Sequence, residues 1–229
     1  MTDLPRRQLN RLAREARILE AALTVFARLG YSGTTMDAVA AEAGLSKPTL
    51  YQYFPSKEAL FAAMMVGKRD QMLDVFDHPS PQGMVHDLWV FAWDYADQVM
   101  RPDMLSLARL IIGEVQRFPE IGQAYQASGP DRVLRGIMDY LTAQRNAGRL
   151  DFEDAELAAE DLWGLILSAP RTQALYRPDA LPPRSAWGRY IANGLRVFLR
   201  AYSTDPVADL ARLARELPPP ANPRDHDDA

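Results

Sequence analysis

The sequence predicts an all-α fold in which a three-helix helix-turn-helix head precedes a larger helical bundle. Three observations predict it. Apolar residues recur at intervals of three and four rather than two along nearly the whole chain. Glycines and Ser/Thr caps divide the first sixty residues into short helices. Prolines cut the remainder into longer helices, and no stretch shows the β-branched alternation of a strand.

In the first helix Leu12, Ala16, Leu19, Leu23 and Phe26 are spaced 4, 3, 4 and 3 apart, one face of a cylinder, and Gly30 ends it. Thr34-Thr35 offers a capping hydroxyl to a short second helix whose inward positions are Met36, Val39, Ala40 and Ala43. Gly44 closes that helix, and Ser46 caps a third with Pro48 in its first turn, where a missing N–H costs nothing. Helix, glycine turn and capped helix are the layout of a helix-turn-helix, placed at 35–54. Pro55-Ser56 stops the third helix, and a fourth is expected to run from Ser56 toward Phe76 and link the head to the body. Beyond His78-Pro79-Ser80-Pro81, helices are expected near 83–100, 102–116, 119–127, 130–147, 154–175 and 185–202, with a short one after Pro206. The domain boundaries are 1–57 for the head and 58–217 for the body, and the Pro-rich tail 218–229 reads as disordered.

Composition narrows the function classes. With 48% hydrophobic and 24% charged residues this is an ordinary soluble composition. No apolar run approaches the roughly 20 residues of a membrane helix, and the polar start lacks a signal-peptide core, so a cytoplasmic protein with no membrane partner is expected. There is no cysteine, and His78, His86 and His226 are scattered, so no metal site, cofactor or thiol chemistry is expected. The net charge of −4 hides an asymmetry: residues 1–69 hold ten Lys/Arg against six acids, and the rest is acidic. A basic head on an acidic body suits phosphate neutralisation at one end.

The stretch TTMDAVAAEAGLSKPTLYQYFPSKEALF, from Thr34 to Phe61, strongly resembles the DNA-binding signature of the tetracycline-repressor family, and AALTVFARLGYSGTT upstream matches that family's first helix. The body, through RLIIGEVQRFPEIGQAYQASGPDRVLRGIMDYLTAQRNAGRLDFEDAELAAEDLWGLI, resembles more loosely the AefR-like regulatory domain. The resemblance implies double-stranded operator DNA as partner. It carries Lys47, Pro48, Thr49 and Tyr51 to base or groove contact, and Thr35, Tyr53 and Lys57 to phosphate contact. The residues agree by themselves. If Leu50 and Phe54 face the core, Lys47, Thr49, Tyr51 and Tyr53 fall on other faces of a helix that fits the major groove. Lys57 at a helix start opposes the dipole unless an anion is near. Half-buried packing is the competing reading for Tyr51 and Tyr53, and a solvated leader the competing reading for Arg6, Arg7 and Arg11.

In the body, an aromatic-rich interior is how apolar small-molecule pockets are lined. Trp89, Trp93, Leu107, Ile111, Met138 and Trp163 are the candidate ligand residues, against the ordinary reading of each as core. The helices near 154–175 and 185–202 are apolar over much of their surface, and the resemblance places a homodimer there. Leu162, Leu165, Ile191, Leu195 and Phe198 are the candidate interface residues. The expected function is a dimeric regulator, a repressor released from DNA by a small hydrophobic or aromatic ligand. Two alternatives stay open: a ligand-free architectural or activating DNA binder, and an all-α enzyme with a DNA-binding appendage. For the enzyme the sequence offers no HExxH, no DDxxD, no cysteine nucleophile and no phosphate loop, and no catalytic residue is assigned.

Overall fold

Capping and punctuation residues set the helices where the spacing puts them. The computed structural model describes residues 6–64, 76 and 78–216, with the side chains of Arg6, Arg7, Leu9, Ser128 and Ser168 left out. The expected disordered tail and the middle of the expected linking helix, residues 65–75, therefore lie outside the described residues. Among the described residues there is no strand, only an isolated bridge between Leu150 and Ser203.

The chain divides into two compact units, the first formed by 6–64 with 102–131 and the second by the described residues of 76–101 and 132–216. In the first, α1 (Arg6–Gly33) breaks at Gly30, whose φ of 73° is open to glycine at little cost. Helices α2 (Met36–Glu42) and α3 (Lys47–Tyr53) follow, then α4 over 57–64. Only the second half of α1 is covered, so its buried stripe is Ile18, Ala22, Val25 and Phe26, while Leu12 is half exposed and Ala16 exposed. The stripe read from the spacing starts a turn and a half too early, because the described residues leave Leu12 and Ala16 uncovered.

Helices α6 (Pro102–Glu114) and α7 (Pro119–Ser128) belong to this unit too. Their Leu107, Ile111 and Ile121 enter the same apolar cluster as Ile18, Phe26, Leu50 and Phe61. The boundary at residue 57 follows the chain, whereas the spatial boundary follows this shared core. Its centre is Tyr31, 1% exposed, stacked on Phe26 at 5.8 Å and meeting Phe61 at 5.5 Å and Phe118 at 5.4 Å.

The second unit contains α5 (Met84–Val99), α8 (Pro130–Asn146, joining it at 132), α9 (Ala155–Tyr176), α10 (Arg184–Tyr202) and α11 (Pro206–Glu216). Helices α9 and α10 form its main seam. A side chain at Gly194 would run into the backbone of Leu165, so the two helices approach as closely as glycine permits. A Tyr202 hydroxyl donating to Asp161 at 2.5 Å ties their ends. Asp87 on α5 is 2% exposed and accepts from the Ser80 amide at 2.9 Å and the Tyr140 hydroxyl at 2.7 Å. Arg184 pairs bidentately with Asp97 at 2.9 Å and lies 4.3 Å over the Trp93 ring.

Candidate nucleic-acid interface

The helix-turn-helix is built from its caps. Thr35, extended at ψ 152°, accepts the Ala38 amide at 3.1 Å and starts α2. At the other end Gly44, with φ 65°, lets Leu45 N–H reach the Ala40 carbonyl at 2.9 Å while Gly44 N–H reaches Ala41 at 3.1 Å. This is a Schellman closure, and it turns the chain within two residues. Ser46 then caps α3: its hydroxyl accepts the Thr49 amide at 3.4 Å and lies 2.8 Å from the Thr49 hydroxyl. Arg17 donates to the Ala43 carbonyl at 3.1 Å and Arg28 pairs with Glu42 at 3.1 Å, fastening α2 to α1.

Leu50, fully buried, and Phe54, 5% exposed, anchor α3, and this decides what its other face presents. Lys47, Pro48, Tyr51 and Gln52 are exposed; Tyr51 at 42% is too open to be core. Thr49 and Tyr53 are half-buried, and Tyr53 packs on the apolar cluster. Lys47 extends to Asp37 on α2 at 2.8 Å, an exposed, solvent-screened pair that is easily given up to a phosphate. Gln52 was not among the sequence candidates. The signal was its place one residue after Tyr51 and four after Pro48, on a residue type that can read adenine bidentately.

Lys57 is placed differently from an open phosphate ligand. Its ammonium donates to the Tyr31 carbonyl at 2.8 Å and the Thr34 carbonyl at 3.2 Å, and sits 4.3 Å from the Tyr31 ring. The dipole argument for a nearby anion is met by two backbone oxygens. The Tyr31 hydroxyl lies 3.3 Å from Glu58, and burial first, then the Glu58 charge, pushes the phenol up, so it stays a neutral donor. Together these contacts stiffen the 31–35 turn that delivers Thr35, which is itself exposed.

The ligand candidates divide between the units. Leu107 and Ile111 pack in the core of the first unit. In the second, Trp89 and Trp93, each 1% exposed, meet edge to face at 5.9 Å. Trp163 instead meets Tyr95 at 6.0 Å, and Met138 is half-buried. Among the described residues, the enclosed indole N–H groups of Trp93 and Trp163 have no acceptor. Sequence reasoning missed the aromatic run of Tyr95, Phe91, Phe76 and Tyr140, with successive rings 6.1, 4.6 and 4.2 Å apart, ending on buried Asp87. Only the spacing of 91 and 95 hinted at it, since Phe76 and Tyr140 are distant in sequence.

The interface candidates divide by exposure within the single chain. Leu162, Ile191 and Phe198 are 0% exposed and Leu195 is 1%, so these four are buried within one chain. Leu165, 36% exposed, is on the outside. With it on outer faces are Leu157 at 63% and Tyr176 on α9, and Tyr190 and Val197 on α10.

Comparison with known proteins assigns both segments. Residues 18–64 match the profile described as bacterial regulatory proteins, tetR family, and residues 86–204 match the AefR-like transcriptional repressor C-terminal domain. Both describe regulators; neither is an enzyme family. The HTH-type transcriptional regulator RutR of Escherichia coli K12 is 43% identical over 67 residues, 29% of this chain and 30% of RutR, so the alignment spans under a third of that curated relative. A tetR-family regulator structure from Mesorhizobium loti MAFF303099 superposes with a TM-score of 0.72 at 28% identity, over 84% of this chain and 98% of that one. The flavonoid-responsive regulator FrrA superposes at 0.64 with 30% identity over the same shares.

Proposed function

The chain belongs to the tetR family of bacterial regulatory proteins, and from that premise we propose that it is a cytoplasmic, dimeric repressor whose α3 reads operator DNA and which a small aromatic ligand releases. One observation carries the DNA-binding part. Capping by Ser46 and anchoring by Leu50 leave Lys47, Pro48, Tyr51 and Gln52 as a single exposed face of a short helix. In this reading Tyr51, Pro48, Gln52 and Thr49 meet base edges, and Lys47, Thr35 and Tyr53 meet phosphates. Lys57 acts by holding the turn, with one N–H left to share.

The repressor part is supported by the description of the matched C-terminal domain. The ligand part is supported by the aromatic content of α5 and by two enclosed indole donors that an acceptor on a ligand would satisfy. FrrA, a similar structure, is named for flavonoids. Dimerisation uses the outer faces of α9 and α10, with Leu165, Tyr190 and Val197 at the contact. Two heads then read half-sites about 34–36 Å apart. Release follows if the ligand prefers a conformation with different head spacing.

The test is capture of genomic fragments by the purified protein followed by sequencing. A palindromic fragment should be enriched, and its affinity should fall with salt by about 0.9 log units per log unit of salt for each phosphate contacted. Flavonoid and other aromatic compounds that raise the melting temperature are then titrated with and without the fragment. The inducer binds more weakly in its presence by the same factor that it weakens DNA binding. Failure to enrich any fragment overturns the reading of α3, and equal ligand affinity in the two titrations overturns the inducer.

A further inference from the structure

Glu114 stands where an acid is out of place. It is the last residue of α6, at the negative end of the helix dipole, where a carboxylate is disfavoured. Its Oε1 accepts the Ser32 amide at 3.3 Å and lies 2.9 Å from the position that a Cβ on Gly30 would take. Gly30 is favoured by its φ of 73°, and the carboxylate occupies the space beside it. Five residues after Gly30, Thr35 caps α2, and the turn between is held by Lys57 on the Tyr31 and Thr34 carbonyls and by the Thr34 hydroxyl on the Gly30 carbonyl at 2.7 Å. The hydrogen bonds from Lys57 and Thr34 on this turn come from the head; Glu114 comes from the segment matched by the C-terminal regulatory domain. Phe118, four residues further, meets the Tyr31 ring at a tilt of 59°, and Ile111 is buried in the head core, so the carboxylate is delivered by a fixed helix.

We infer that Glu114 is a positioning residue for DNA binding: through Ser32 it sets the 30–35 turn, and with it Thr35 and the placement of α2 and α3. The inference rests on the reading of α3 as the DNA-binding helix. It predicts a sign opposite to simple electrostatics. Removing a negative charge from a DNA-binding chain ordinarily strengthens its hold on phosphates. Loss of a positioning contact weakens operator binding instead.

Full-length Glu114→Ala and Glu114→Gln test it, with operator affinity, affinity for random duplex and amide exchange at Ser32 as readouts. Alanine is a good helix former, so α6 should persist. Glu114→Ala should bind operator about tenfold more weakly, the loss of one charge-assisted hydrogen bond. Its affinity for random duplex should be unchanged or higher, and Ser32 should exchange faster. Glu114→Gln keeps an acceptor oxygen in place and should restore both operator binding and slow exchange. Wild-type operator affinity in the alanine variant overturns the inference, as does a glutamine variant as weak as the alanine one. If the unmodified protein enriches no DNA at all, the functional reading fails with it, whereas a protein that binds operator normally with alanine at 114 defeats only the inference.

Discussion

Helices α3 and α10 both carry tyrosines and aliphatics at helical spacing, yet they spend them in opposite ways. Helix α3 has seven residues and buries only Leu50, so an aromatic off that single axis, Tyr51, is left in solvent. Helix α10 has nineteen residues and buries Ile191, Ala192, Gly194, Leu195, Phe198 and Leu199, because α9 lies along it. A short, capped helix shows its function on its surface. In a long helix the same pattern reports first on the interior of its own chain, and the functional face is the weaker stripe behind it.

The contrast is broken most strongly in the α9–α10 seam. Gly194→Val would drive a branched side chain into the Leu165 backbone and should destabilise the protein by more than about 3 kcal/mol; Phe198→Ala should cost about 3–5 kcal/mol. Chemical denaturation measures both, and a mild loss at either site would mean that α9 and α10 do not pack as described. Leu165→Glu sharpens the contrast from outside. It should change the stability of the chain by only about 0.5 kcal/mol while weakening the proposed dimer by about 2 kcal/mol or more, which light scattering across a dilution series detects.

In the head the expected effects are smaller and divide by role. Tyr51→Ala should leave the melting temperature alone and reduce discrimination between operator and random duplex by about 1–3 kcal/mol. Lys57→Met should do the reverse, destabilising the chain by about 1–3 kcal/mol as two carbonyls lose a charged donor. The salt slope of DNA binding decides the role of Lys57: it stays unchanged if the ammonium is held by the turn, and drops by about 0.9 if it meets a phosphate. The smallest effect is at Tyr202. Its hydrogen bond to Asp161, with burial second, pushes the phenol from 10.0 up to about 12. A raised folded value means that the stabilisation is fully present below pH 10 and is lost as pH rises from 10 to 12. Tyr202→Phe should remove part of the alkaline decline in stability across that window; an unchanged decline would show that the Asp161 bond does not persist in solution.

What could be read from the sequence alone was what local chemistry dictates. Thr35, Gly44, Ser46 and Pro48 act within one helical turn of themselves, so the helix-turn-helix and its exposed face were legible, and proline and glycine breaks placed the later helices within a few residues of their observed ends. Tertiary structure alone decided which side of each helix another helix covers. Nothing near Leu107 or Ile111 in sequence says that α6 packs in the head core, and nothing near Phe198 says that its stripe is buried within its own chain. Nor could the spacing around Lys57 or Glu114 show the carbonyls and amide they hold, 23 to 82 residues away in the chain. Helical periodicity identifies a buried face without naming its partner, because burial depends on apolar area removed from water and not on which segment removes it.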